Sequence, residues 1–214
     1  MQTVEFLRFL EDTGMRVFNV NDAVKILHHK RDYTKLFLHR CASRGLIDRA
    51  ERGLYYLKGK SNEYEIASGI LHPSYISMIS ALYYYGLTTQ IPHVIYVISS
   101  RWHPRINDVL GYDILFRTTK KDMLFGYHKE AGGNISIADP EKAIVDIYYF
   151  NDVNDLDGKA LDRPSRIDVT KLVKYAGMSG RDTVRSRVAS LLAEHGYKKE
   201  AAKLLGIRKK SEDG

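Results

Sequence analysis

An α+β fold in two parts is predicted for this chain of 214 residues, on three observations. Apolar residues recur at helical spacing through residues 3 to 44 and then give way to a hairpin pattern from Leu46 to Leu57. A polar, glycine-bearing break follows, Lys58-Gly59-Lys60-Ser61-Asn62. Beyond it, β-branched strands alternate with helices and the chain ends in a helical tail. The expected parts are therefore residues 1–60 and a mixed α/β unit over 61–214.

Val4, Phe6, Leu7, Phe9 and Leu10 make the first helix, ended by Gly14. Arg16-Val17-Phe18 is a short extended link, and Asn19 or Asn21 caps a second helix that buries Val20, Ala23, Val24, Ile26 and Leu27. A basic turn from His28 to Arg31 leads to a third helix, capped by Asp32, that runs to Arg44 and stops at Gly45. Leu46 and Ile47 start a strand, Glu51-Arg52-Gly53 turns it, and Leu54 to Leu57 returns. Three helices and a hairpin in about sixty residues predict a winged helix-turn-helix.

In the second part, residues 63–71 and 75–85 read as helices split at His72-Pro73, with Ser74 as the cap of the second. Val94 to Ser99, Asp113 to Thr118 and Ile135 to Ala138 read as strands. Pro140 opens a helix over Glu141 to Phe150 at a first-turn position that proline tolerates. Residues 151–166 are an aspartate-rich loop, and helices near 168–176, 182–195 and 197–205 finish the chain.

With 44% hydrophobic residues a proper core is expected, and a net charge of +7 favours a polyanionic partner, nucleic acid before an anionic membrane surface. The single cysteine, Cys41, excludes an internal disulfide and fits a reducing compartment. Glu5, Arg8, Glu11 and Asp12 are wrong for a secretory leader, and no apolar run approaches the ~18 residues of a membrane span. A soluble, cytoplasmic protein with no membrane partner is expected.

On the third helix, Thr34, Leu38, Cys41 and Ala42 share one side at helical spacing and are expected to pack on the second helix. Cys41 is then a small buried hydrophobe and no nucleophile. The other side carries Tyr33, Lys35 and His39, placed to reach base edges, and Arg40, which with Arg44 suits phosphates. Lys30 and Arg31 in the preceding turn and Arg49 and Arg52 in the hairpin converge on the same surface in a winged helix. Neutralising ~5 to 8 phosphates makes affinity fall by orders of magnitude between low and moderate salt.

Beyond the first sixty residues, the run HPSYISMISALYYYGLTTQIPHVIYVIS and then ISIADPEKAIVDIYYF add a resemblance. Together with the Gly45…Gly53-Leu54-Tyr55 hairpin, the chain resembles the AbiEi-family antitoxins of type IV toxin–antitoxin systems over most of residues 15 to 150. The carrying features are that hairpin, Ser80-Ala81-Leu82 running into Tyr85-Gly86-Leu87, and Ala138-Asp139-Pro140-Glu141-Lys142-Ala143 with Asp146 one turn on. The resemblance implies an N-terminal domain that binds an inverted-repeat operator in double-stranded DNA and represses its own promoter. It also implies a second domain that neutralises an AbiEii-like nucleotidyltransferase toxin, somewhere after Asn62. Two alternatives stand beside it: a stand-alone winged-helix regulator with an effector-sensing second domain, and a nucleic-acid-processing enzyme.

Catalytic motifs fail on inspection, so no enzyme, cofactor or metal is expected. Asp139-Pro140-Glu141-Lys142 reads as a capped helix start, with Lys142 and Asp146 as an i,i+4 surface ion pair worth ~0.3 kcal/mol. No Glu-x-Lys occurs, and the one Asp-x-Lys, Asp157-Gly158-Lys159, falls in the loop. Gly59-Lys60-Ser61 lacks a glycine at phosphate-loop spacing, because Gly53 lies one residue too far. Asp152 to Gly158 puts Leu156 and Asp157 where a calcium loop needs an oxygen ligand and glycine, and Arg163 at its twelfth position. The eight histidines show no helical metal pair. Tyr83-Tyr84-Tyr85 reads as half core, half surface. Further cations (Arg101, His103, Arg105, Arg117, Lys120, Lys121, Arg181, Arg185, Arg187, Arg208, Lys209, Lys210) surround a possible secondary basic strip at Lys198, Lys199 and Lys203. That strip extends a DNA footprint or meets an acidic partner.

Overall fold

A computed structural model describes residues 3–130, 132–152 and 166–206. The sequence motifs in 153–165, Asp157-Gly158-Lys159 and most of the calcium-like string among them, lie outside the described residues, as do Arg208, Lys209 and Lys210. The architecture is mixed α/β, with two sheets and two hydrophobic cores.

The first unit runs α1 (Thr3–Asp12), β1 (Val17–Asn19), α2 (Val20–Leu27), α3 (Arg31–Ser43), β2 (Ile47–Glu51) and β3 (Leu54–Leu57). Asn19 is the cap of α2: its side chain accepts from the N–H groups of Asn21 and Asp22, and the Asp22 carboxylate accepts from Asn19 N–H at 2.9 Å. The expected Asp32 cap of α3 is not found. His28 closes α2 in the left-handed region, two residues remain before α3, and Lys30 holds the cap position with no side-chain bond. Gly45, at φ +70°, reverses the chain after α3, so that Leu46 N–H reaches Cys41 O at 3.1 Å.

Strand order β1-β3-β2 puts β3 in the middle of an antiparallel sheet. Its four residues are all buried because the sheet is covered on both faces. Phe18, Ile47, Tyr55 and Leu57 face the helices, joining Phe6, Leu10 and Leu38. Tyr56, with Val17 and Ala50, faces the second unit. The hairpin is thus no free-standing projection. Glu51 belongs to β2 and the turn narrows to Arg52-Gly53, where Gly53 O accepts from Val20 N–H at 3.0 Å at the start of α2.

The second unit runs α4 (Glu63–Ile70), β4 (Ser74–Ile76), α5 (Met78–Tyr84), β5 (Val94–Ser99), β6 (Ile106–Val109), β7 (Tyr112–Thr118), a 3-10 turn (Lys121–Met123), β8 (Tyr127–Lys129), β9 (Ser136–Ala138), α6 (Pro140–Phe150), α7 (Val169–Met178), α8 (Asp182–Glu194) and α9 (Lys198–Leu204). Six strands order as β6-β7-β5-β4-β9-β8. The pairs β5–β7 and β4–β9 are parallel and the rest antiparallel. The expected helix over 75–85 is shortened, and Ser74 is not its cap. Ser74-Tyr75-Ile76 lies mid-sheet between β5 and β9, with α5 starting only after Ser77.

Residues 58–62 form an ordered turn. Ser61 Oγ donates to Arg16 O at 3.0 Å, and Asn62 with Glu65 makes a capping box for α4. Arg16 pairs with Glu65 at 3.1 Å, and Asn134 Nδ2 donates to Gly14 O at 3.1 Å, so the units are pinned together. Gly69 of α4 lies directly against Val17, where an added Cβ would sit 2.5 Å from Val17 Cγ1. Gly69→Ala is therefore expected to destabilise the protein by ~1–3 kcal/mol through overpacking, read as a lowered urea midpoint, while Val17→Ala in the same chain recovers part of the loss. No helix among the described residues is long and apolar enough to cross a membrane.

Candidate nucleic-acid interface

Helix α3 is anchored by Thr34, Leu38 and Cys41, at 0%, 0% and 2% exposure, which fix the direction of every other side chain on it. Burial pushes the Cys41 thiol up, outweighing the pull of Arg44, as suits a packed and unreactive sulfur. Ala42 is only half-buried, at the edge of this stripe.

All the cationic and aromatic positions singled out on α3 are exposed, but they form two flanks rather than one ridge. At ~100° per residue, Tyr33, Arg40 and Arg44 fall on one flank and Lys35 and His39 on the other, with Leu36 between them. The first flank borders a groove of about 370 Å³ shared with Thr3 and Val4 of α1 and with Phe37. Tyr33 is 54% exposed, its ring edge-on to His29 at 4.9 Å. Leu36, 47% exposed, is absent from the residues chosen on sequence. The same helical count that picked its neighbours would have placed it outward.

The charge on this segment is lopsided. From Lys30 to Arg44 five cations (Lys30, Arg31, Lys35, Arg40, Arg44) face a single carboxylate, Asp32. Lys35 Nζ lies 3.4 Å from Asp32 Oδ1, an exposed contact that offsets little. Arg31 is turned toward α2, its guanidinium on Asn21 Oδ1. Among the described residues Arg40 and Arg44 make no ion pair. In the hairpin, Arg52 is exposed at the turn and Arg49 Nε donates to Glu51 O at 2.9 Å.

The secondary strip stands apart. Lys198, Lys199 and Lys203 are exposed on α9, which packs on α7 and α8 in the second unit. Several of the other cations counted as surface charge are engaged locally: Arg105 with Asp113, Arg117 with Asp152 at 2.6 Å, Arg185 with Asp182, and Arg181 over the Tyr149 ring at 3.8 Å.

The Asp139-Pro140-Glu141-Lys142 segment departs furthest from expectation. Asp139 holds the cap position of α6, but its carboxylate does not cap. It accepts instead from Tyr175 Oη at 2.8 Å, contacts Lys171 at 2.9 Å, and meets His128 Nδ1 at 3.0 Å. Charged and phenolic donors from α7 outcompete the backbone N–H groups. Glu141 is buried and accepts Asp168 N–H at 2.7 Å, tethering the start of α7. Lys142 and Asp146 are not a surface pair. They are 0% and 1% exposed, because α6 is covered on all sides.

Burial alone would raise the Asp139 carboxyl, but Lys171, Tyr175 and His128 together bring it below its usual 3.8. A carboxyl depressed on folding stabilises above its unfolded value and loses that contribution as pH falls through the folded one. Urea midpoints should therefore drop below about pH 4, and Asp139→Asn should flatten that part of the profile. Among the described residues no group of three or more His, Cys, Asp or Glu side chains is arranged to hold a metal ion.

No protein-family model matches the chain, and no curated protein matches it. The fold is similar to the crystal structure of the RV2827C protein from Mycobacterium tuberculosis, at a TM-score of 0.59 and 14% identity over 95% of this chain and 80% of that one. At that identity the likeness concerns the fold.

Proposed function

We propose that this protein is a DNA-binding repressor of its own operon, with α1 to β3 as a winged helix-turn-helix and α3 as the helix that enters the major groove. The observation that carries the reading is the charge of α3 and its two cap residues, five exposed cations from Lys30 to Arg44 against one carboxylate, on a helix fixed by a fully buried inner stripe. The order helix, strand, two helices and hairpin, with β1 closing on β3, supports it. Full-length protein titrated with duplex from upstream of its own gene should give a log affinity against log salt slope of about −4 to −7. Binding that ignores salt would refute it.

The second unit is proposed to neutralise a nucleotidyltransferase-like toxin, which rests on the motif resemblance. Co-expression of the full chain with a neighbouring gene of that kind should restore growth, and continued arrest would remove this half. One feature favours an effector-sensing regulator instead: a cavity of about 150 Å³ where the units meet, lined by Val17, Glu65, His72, Lys129 and Asn134 among others. A small ligand there would act on the α4–β1 contact, and saturation with ligand should then change operator affinity.

A further inference from the structure

The cavity of about 150 Å³ where the units meet has room for about five waters, or for one solute of roughly five to eight non-hydrogen atoms. That is well under the ~300 Å³ at which sites for drug-sized molecules begin. Most polar groups in its wall are already engaged. Glu65 accepts from Arg16 at 3.1 Å, from Asn134 Nδ2 at 3.3 Å and from Asn62 N–H at 3.1 Å. Ser68 Oγ accepts Ser136 N–H at 3.0 Å and donates to Ser136 O at 3.4 Å. The Asn134 amide nitrogen also donates to Gly14 O. Two donors in the wall are left, Lys129 and His72. Among the described residues neither side chain makes a hydrogen bond or an ion pair.

The charge around these two is positive. Burial, then Lys129 of β8, then Arg101 after β5 hold the His72 imidazole below its usual value, with Asp22 of α2 opposing them. The carboxylates in reach are answered elsewhere: Glu65 by Arg16, Asp22 by Asn19 N–H at 2.9 Å, and Glu130, next to Lys129, by His128 at 3.3 Å. A neutral imidazole beside unpaired cations is the setting that a bound anion relieves. Val17, from the first unit, is the only apolar side chain among the described residues of the wall. It gives a short carbon chain a surface to pack on, which a bare phosphate does not need.

We propose that this cavity binds a short-chain carboxylate, its oxygens on Lys129 and His72 and its carbons against Val17. The inference names the ligand of the effector-sensing reading and rests on that reading for any effect at the operator. Glu65 and Asn134, which pin the units together, belong to the same wall, so an occupant bears on how the units are joined. An anion here favours the imidazolium, so affinity should rise as pH falls through the His72 range while the ligand stays ionised.

Proton NMR of the full-length protein tests this through the His72 Hε1 resonance, identified by its loss in His72→Gln. Its pH titration is recorded alone and with acetate, propionate or lactate, with the matching neutral amides, and with inorganic phosphate. A carboxylate is expected to raise the His72 midpoint by about one pH unit, with half-saturation on the order of 1 mM, and the amides to do nothing. Lys129→Gln, an exposed change, should by itself raise the His72 midpoint, because a neighbouring cation is gone, and should weaken the carboxylate ~10-fold. No movement of His72 with any of the three carboxylates up to ~50 mM would overturn the proposal. So would an equal response to the amides, tighter binding of phosphate, or carboxylate affinity unchanged in Lys129→Gln. Carboxylate binding that leaves operator affinity as it was would uphold the site and remove the effector role. Operator binding with no carboxylate response would remove the site and leave the α3 reading intact.

Discussion

Asp146→Ala is expected to destabilise the protein by ~3–5 kcal/mol, because it leaves a lysine charge in the core with no counter-ion. Asp146 receives Lys142 Nζ on one oxygen, and on the other the Ser77 hydroxyl at 2.7 Å and the Tyr75 hydroxyl at 3.2 Å. Burial pushes its carboxyl above the usual range against the pull of Lys142, Ser77 and Tyr75. Once the carboxylate is gone, Lys142 keeps only the faces of Phe125 at 4.6 Å and Tyr75 at 5.6 Å, which repay a fraction of its lost hydration. The cluster also joins α6 to β4 and to the start of α5, so its loss is felt at the centre of the large sheet. The double variant Lys142→Met with Asp146→Leu removes both charges and should recover most of the stability. Urea unfolding followed by circular dichroism distinguishes the two. A single variant within ~1 kcal/mol of the unaltered protein would show that the pair is reached by water.

That pair also shows where sequence reading stops. Spacing of four residues says that Lys142 and Asp146 meet on α6 and says nothing of what covers them. The neighbours held a clue: Ala143, Ile144, Val145 and Ile147 spread over more than half the helix circumference, the mark of a helix buried all round. Leu54-Tyr55-Tyr56-Leu57 held another, since an unbroken apolar strand is one with both faces covered, and its second face packs on the second unit. Local chemistry was read correctly where it was decisive, as at Asn19, one of the two caps the sequence offered for α2, at Gly45, and in the inward stripe of Thr34, Leu38 and Cys41. It failed at Ser74-Tyr75-Ile76, whose helix-cap pattern yields to pairing with strands from residues 94–99 and 136–138. The edge strands β6 and β8 are short and carry no alternation to find.

Substitutions on α3 should divide into two classes, those that remove a phosphate contact and those that remove a base contact. Arg40→Ala and Arg44→Ala are expected to weaken binding to every duplex alike, each lowering the salt slope by about one, as the loss of a phosphate contact does. Lys35→Ala, His39→Ala and Tyr33→Ala should instead relax the preference for operator over unrelated DNA by ~1–3 kcal/mol each, with a smaller change in slope for the neutral residues. Leu36→Ala belongs with the second class, since its exposed side chain can discriminate only by apolar contact. All these side chains are exposed, so folding stability should move by less than ~0.5 kcal/mol and lost binding cannot be ascribed to unfolding. Reversing charge at Lys198, Lys199 and Lys203 is the control for the distant strip. If it lowers DNA affinity and salt slope as Arg40→Ala does, the duplex extends across α9. If affinity holds while toxin neutralisation falls, α9 faces the protein partner. The two flanks of α3 make the sharper test: equal effects of Arg40→Ala and Lys35→Ala on operator and unrelated duplex would mean that this helix lies across the phosphates, outside the groove.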